Sequence, residues 1–185
     1  MRTWLDTVAR WDLRSSLALQ ARRARLPNLL FATLSWSGAG GVWFALAALL
    51  MATHRRGVEF IPRQLDFAVA MLAGLAALFV GGVIKRAAGR RRPFATGQGV
   101  NAAIWAPGPS RSFPSTHAAT AVALAVALFA MAHPLAPWVA LWACGVSLSR
   151  VWLGVHFASD VLAGALLGAG LGLLPWTRVA QSVTG

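Results

Sequence analysis

Five stretches of this chain are apolar for close to the roughly 20 residues that a helix needs to cross a hydrocarbon core. They run from Asn28 to Thr53, Leu65 to Ile84, Ser115 to His133, Leu135 to Trp152 and Phe157 to Trp176. They predict an all-α fold: a polytopic membrane helix bundle of about five transmembrane helices. Gly38, Gly40 and Gly41 in the first run, and Gly164, Gly168, Gly170 and Gly172 in the fifth, favour close helix contact. Pro137 falls in the first turn of the fourth, where proline is tolerated. Trp36, Trp43, Trp138, Trp142, Trp152 and Trp176 include several near predicted ends, as an interfacial aromatic belt would have. An odd number of spans puts the two termini on opposite sides.

Residues 1–27 do not form a span. As a helix they place Trp4, Val8, Trp11 and Ala18 on one face and Asp6, Arg10 and Arg14 on the other. That pattern predicts an N-terminal interfacial amphipathic helix. Charged residues interrupt it too often for a cleaved signal peptide. The expected organisation is an interfacial segment (1–27), a membrane domain (28–176) and a short tail (177–185). The one long connection, Lys85 to Pro114, has the length of a functional loop.

Charge narrows the function classes. Charged residues make up 12% of the chain, about half the usual share, yet the net charge is +12. Sixteen of the 17 basic residues are Arg, and the acids are only Asp6, Asp12, Glu59, Asp66 and Asp160. Such basicity raises nucleic-acid binding, which five apolar runs make improbable. One cysteine, Cys144, excludes an internal disulfide and a thiolate cluster. Scattered carboxylates offer no divalent-metal cage. Neither metal nor cofactor is expected, so a site must be built from cations.

Three clusters remain outside the apolar pattern. The first is Lys85-Arg86-Ala87-Ala88-Gly89-Arg90-Arg91-Arg92-Pro93, the second Ser112-Phe113-Pro114-Ser115-Thr116-His117, the third Ser149-Arg150-x5-His156-x3-Asp160. Five spans put all three on one side of the bilayer. Each has a plainer reading: basic residues as topology determinants, Ser115 and Thr116 as a helix cap, His117 as a satisfied polar residue. His156 and Asp160 resist theirs, because ionisable groups at membrane depth need partners. Four residues apart, they share a helix face and can hydrogen-bond. His54 and His133 lack such company and read as interfacial.

Lys85, Arg92 and Arg150 are the residue types that bind phosphate, by a point charge and by forks matching two oxygens. The start of the third span adds backbone N–H groups and a positive helix end. Two histidines beside a phosphate can divide nucleophilic attack from proton transfer.

Together, Lys85-x6-Arg92-Pro93, Pro114-Ser115-Thr116-His117 and Ser149-Arg150-x5-His156-x3-Asp160 resemble the three-part signature of the type 2 phosphatidic acid phosphatase (lipid phosphate phosphatase) superfamily. The resemblance implies metal-independent dephosphorylation of a membrane lipid phosphate or diphosphate through a phosphohistidine. His156 would be the nucleophile, oriented by Asp160, with His117 as general acid and then base. Lys85, Arg92, Ser115, Thr116 and Arg150 would hold the phosphoryl group. The family commonly has Gly where Thr116 stands; Thr disfavours positive φ and adds a hydroxyl. Arg90 and Arg91, inside the spacer, would steer headgroups or be solvated at the interface. Among small bacterial members, the Arg-Pro-Phe and Ser-Phe-Pro-Ser-x-His stretches lean to the undecaprenyl-diphosphate phosphatase type, with phosphatidic acid and phosphatidylglycerophosphate as other substrates.

The expected location is the inner (plasma) membrane, multi-pass, with a membrane lipid phosphate and the bilayer as expected partners and no nucleic acid. The site's side carries 13 of the 17 basic residues, which favours a cytoplasmic site; undecaprenyl-diphosphate recycling resembles an outward-facing reaction. The competing reading is a non-enzymatic anionic-lipid-binding scaffold or transporter subunit.

Overall fold

Among the described residues, alternating apolar runs and glycine- or charge-marked breaks give seven α-helices and one 3-10 turn. The computed structural model describes residues 4–58, 63–103, 111–174 and 176. Its helices are α1 (Trp4–Gln20), α2 (Arg25–Ser37), α3 (Gly40–His54), α4 (Gln64–Ala88), α5 (Thr116–Ala130), α6 (Ala136–Trp152) and α7 (Ala158–Gly172). The 3-10 turn spans Pro93–Ala95. The described residues contain no strand. The expected tail, 177–185, residues 1–3 and the surroundings of Gly41 lie outside the described residues.

Four of the five apolar runs became single helices, α4 to α7. Only α4, at 25 residues, is long and apolar enough to cross a membrane by itself among the described residues. It ends at Gly89, whose φ of 67° is the left-handed conformation glycine reaches most easily. The first run was expected as one span and is two helices, broken at Gly38 and Ala39. The glycines flanking the break are closely packed. A side chain at Gly38 would meet Val146 Cγ1 at 2.7 Å, and one at Gly40 would meet Leu78 Cδ2 at 2.7 Å. The two halves still progress in one direction along the bundle. Asn28 accepts a bond from Trp152 Nε1 at the foot of α6, and Ser37 one from Trp142 Nε1 further up. Trp43 packs on Trp142 at 4.7 Å. These two tryptophans are therefore helix contacts and not part of an outward belt.

The core is built from small residues. Ala68, Ala70, Ala73, Ala77, Ala119, Ala123 and Ala127 are fully buried, while Phe79 (73%), Leu141 (68%) and Leu166 (68%) are among the most exposed. Small inside and large outside is the arrangement of helices that pack closely within hydrocarbon. The contact of α5 with α7 carries it furthest. A Cβ on Gly164, Gly168 or Gly172 would lie 2.3, 2.3 or 2.7 Å from the carbonyl oxygens of Ser115, Ala119 and Ala123. Gly170 faces open space.

α1 lies at the site end, packed on α6 and α7. Trp4, Val8 and Trp11 are exposed, while Asp12 and Ser16 are the buried residues. His133 differs from its expected interfacial place. It is buried at the α5–α6 turn, against the Phe67 ring at 5.7 Å, and accepts the Leu135 N–H.

The glycine contact yields a paired test. Gly168→Ala should destabilise by about 1–3 kcal/mol through overpacking, less the roughly 1 kcal/mol that alanine gains in helix propensity. Gly170→Ala should raise stability by up to about 1 kcal/mol. Melting in detergent measures both, and equal effects would refute the packing account.

Candidate active site

The three sequence clusters are drawn together by hydrogen bonds to backbone. Ser112 N–H donates to the Arg90 carbonyl at 2.8 Å, which ties the second cluster to the first. Ser115 N–H donates to the Asp160 carbonyl at 3.0 Å, joining second and third. Arg92 Nη1 donates to the Val155 carbonyl at 2.9 Å, joining first and third. Each bond satisfies a polar group that would be costly to leave unpaired in an apolar bundle.

Lys85, Arg92, Thr116, His117, Arg150 and His156 line one cavity of about 380 Å³. Its other wall is apolar and comes mainly from α2 and the break after it: Ala32, Trp36 and Ala39, with Leu153 and Val155. Two proposed residues stand behind the cavity. Ser115 is fully buried as the N-cap of α5, its hydroxyl accepting from Ala118 N–H. Asp160 is fully buried in the first turn of α7.

The cations are held by neutral groups. Lys85 Nζ sits 3.5 Å from Thr116 Oγ1. Arg150 Nη1 donates to Ser35 Oγ, and its buried Nε has no hydrogen-bond partner. Neither Lys85 nor Arg150 forms an ion pair among the described residues. An orphaned donor beside two further cations is what an anion would complete. The α5 N-terminus adds its positive end at Thr116 and His117.

Thr116 fits without strain. It is the first residue of α5, and the described non-glycine residues with positive φ are Arg63 and Ala132. Its extra hydroxyl meets Lys85, and its methyl rests 3.1 Å from where a Gly81 Cβ would lie.

His156 and Asp160 meet differently from the expected helix face. His156 precedes α7, in the loop that follows α6, and Asp160 is at the third position of α7. The Asp160 carboxylate caps the helix, with Oδ2 accepting Phe157 N–H at 2.9 Å. The same Oδ2 is 3.6 Å from His156 Nδ1, an ion-pair distance too long for a hydrogen bond. On its other side, His156 Nε2 lies 3.3 Å from Arg92 Nη1. A guanidinium only donates, so Nε2 carries the lone pair and Nδ1 carries the proton, facing Asp160.

Arg90 is partly exposed but is held in place and not free to steer headgroups. It donates to Asp160 Oδ1 at 2.7 Å and Asp12 Oδ2 at 2.6 Å, with its guanidinium 4.4 Å from the Phe157 ring centroid. Ser35, Asp12 and this role of Arg90 were not anticipated from sequence. The polar pair Ser35 and Ser37 inside an apolar run, and the second of two aspartates on α1, were the available signals. Among the described residues no group of three or more His, Cys, Asp or Glu is placed to hold a metal ion.

Residues 64–183 match the PAP2 superfamily. Over 172 residues, 91% of each chain, the sequence is 32% identical to a decaprenylphosphoryl-5-phosphoribose phosphatase of Mycobacterium tuberculosis. It is 34% identical over 151 residues to an undecaprenyl-diphosphatase of Sulfolobus acidocaldarius, 80% of this chain and 68% of that one. The crystal structure of a transmembrane PAP2 type phosphatidylglycerolphosphate phosphatase from Bacillus subtilis superposes with a TM-score of 0.75 at 25% identity. It covers 96% of this chain and 88% of that one. The chain therefore belongs to the PAP2 superfamily. It is a phosphatase of the lipid phosphate class, all-helical in its described residues and similar in fold to transmembrane members. Relatives named as phosphatases favour the enzyme over the scaffold.

Burial, followed by the charges of Arg150, Arg92 and Lys85, pushes the His156 imidazole well below its ordinary value of 6.5; the Ser112 backbone opposes this. Below about pH 6.5 the unfolded chain then binds a proton here that the folded chain does not. The stability contributed by neutral His156 is present above that pH and is lost as pH falls. Melting temperature in detergent should drop between pH 7.5 and 5.5, and drop less steeply in His156→Gln. Parallel curves for the two proteins would contradict this.

Proposed function

We propose that this protein removes phosphate from a polyprenyl phosphate or diphosphate through a phosphohistidine, without a metal ion. The observation that carries the reading is one cavity lined by two imidazoles and three cations, with an apolar wall from α2. The headgroup binds Lys85, Arg92 and Arg150, together with the Thr116 backbone N–H, while Ser115 fixes the α5 start behind them. The tail stays in the bilayer against Ala32, Trp36 and Ala39.

His156 Nε2 attacks phosphorus as Arg92 turns to a phosphoryl oxygen. The new P–N bond forms as the bond to the leaving oxygen breaks, and Asp160 supports the charge that develops on the ring. His117, protonated as the anionic substrate binds, gives its proton to the departing lipid alcohol or lipid monophosphate. It then takes a proton from water, which attacks phosphorus, breaks the P–N bond and frees inorganic phosphate. The cations and the α5 N-terminus stabilise charge on the transferring group in a site of low dielectric.

The protein is proposed to be multi-pass in the inner membrane, with α2–α3 as one broken crossing and α4 to α7 as four more. Exposed Phe79, Leu141 and Leu166 support that placement. The named activities of the mycobacterial and archaeal relatives support a polyprenyl substrate over phosphatidic acid or phosphatidylglycerophosphate.

Protein in detergent with chelator should release phosphate from polyprenyl phosphates and diphosphates faster than from the two glycerolipids. His156→Ala should abolish turnover, and His117→Ala should cost at least about 10²–10⁴ in rate. Equal turnover by wild type and His156→Ala would sink the nucleophile assignment. With a phosphorus-labelled substrate and rapid quench, His117 variants should accumulate an acid-labile, base-stable adduct; its absence would argue for direct attack by water.

A further inference from the structure

Asp12 is an anomaly on α1. The helix is largely exposed, yet this carboxylate is fully buried, and both its oxygens are engaged far along the chain. Oδ1 accepts Ser159 N–H at 2.9 Å. Oδ2 accepts Ser159 Oγ–H at 2.5 Å and Arg90 Nη2 at 2.6 Å. The other amino group of Arg90, Nη1, donates to Ser159 Oγ and Asp160 Oδ1, both at 2.7 Å. Phe157 covers one face of the guanidinium, and the Arg90 carbonyl is fixed by Ser112 N–H. Arg90 is thus clamped at both ends of its fork by buried carboxylates, a geometry more directional than a single ion pair.

The clamp bears on the site through Asp160. With Oδ1 held by Arg90 and Oδ2 by Phe157 N–H, the carboxylate cannot rotate, and Oδ2 stays on the Nδ1 side of His156. We propose that Asp12 is a positioning residue for the His156–Asp160 pair, acting through Arg90, so that the interfacial helix completes the nucleophile's support. Asp12 reaches this place only while α1 is docked, with Trp4 and Trp11 turned outward. Readiness of the site is thereby linked to the seating of α1. The inference rests on the reading of His156 as nucleophile.

The test compares wild type with Asp12→Asn, which keeps shape and removes charge, and with Asp12→Glu, which keeps charge. Turnover of a short-chain polyprenyl diphosphate in detergent gives kcat and KM. Ring-nitrogen NMR of ¹⁵N-histidine protein, with signals assigned from single His→Gln variants, reads the His156 tautomer without turnover. Asp12→Asn should lower kcat about 10- to 100-fold with KM within about 2-fold, the scale of a misplaced catalytic group. Its His156 signals should shift towards mixed tautomers, and Asp12→Glu should recover part of both. A folded Asp12→Asn protein with wild-type kcat and an unchanged spectrum would overturn the inference. So would parallel losses in kcat, KM and melting temperature that Asp12→Glu fails to rescue. Should wild type hydrolyse no lipid phosphate, the proposed function fails, and the spectrum alone decides whether Asp12 sets the state of His156.

Discussion

Positive charge gathered inside an apolar bundle is the constraint around which this structure is organised. Lys85, Arg92 and Arg150 surround one cavity beside the positive end of α5, and mutual repulsion and desolvation both oppose that arrangement. Neutral oxygens make it tolerable: Thr116 for Lys85, the Val155 carbonyl for Arg92, Ser35 for Arg150. The carboxylates nearby are Asp12 and Asp160, and Arg90 holds both. Arginines therefore divide the labour. Arg90 collects the acids behind the site, while Arg92 and Arg150 line the cavity itself.

Holding those charges in register requires a rigid frame, which small residues supply. Gly164, Gly168 and Gly172 let α7 approach the α5 backbone so closely that Ser115 N–H reaches the Asp160 carbonyl. The start of α5, which carries His117, and the loop before α7, which carries His156, are then fixed relative to each other by main chain. Packing of small residues is the main source of helix affinity where the hydrophobic effect between helices is weak. The glycines and the histidines are consequently parts of one device.

Much of this was legible in the sequence, because bilayer-length runs and fixed motif spacings are local signals. The ends of α4 to α7 lie close to where hydropathy places them, and Ser115 caps α5 as its type suggests. What sequence missed was tertiary. Hydropathy is continuous through Gly38 and does not mark the break between α2 and α3, where Val146 and Leu78 of other helices close in on Gly38 and Gly40. The four-residue spacing of His156 and Asp160 is compatible with a helix, but Phe157 caps α7 and leaves His156 outside it. Arg90 sits in an arginine run whose members look alike on paper. Asp12 lies 78 residues away, and only folding distinguishes Arg90 from Arg91.

The same geometry explains why a site of this charge belongs beside lipid. In water, three cations around a phosphate would be screened and solvated, and their pull on a developing negative charge would be modest. Here the cavity's second wall is Ala32, Trp36 and Ala39, so low-dielectric surface adjoins the charges and strengthens each of them. A substrate with a phosphate head and an apolar tail matches both walls at once, whereas free phosphate matches one. On the proposed reading, the hydrolysed headgroup loses its hold on the tail at the moment the bond breaks. When the substrate is a monophosphate, the lipid alcohol is then held only by the apolar wall, which continues into the bilayer, and the inorganic phosphate only by the cations. Cleavage of the bond thus separates the two halves of the recognition, and each product leaves by the phase that solvates it.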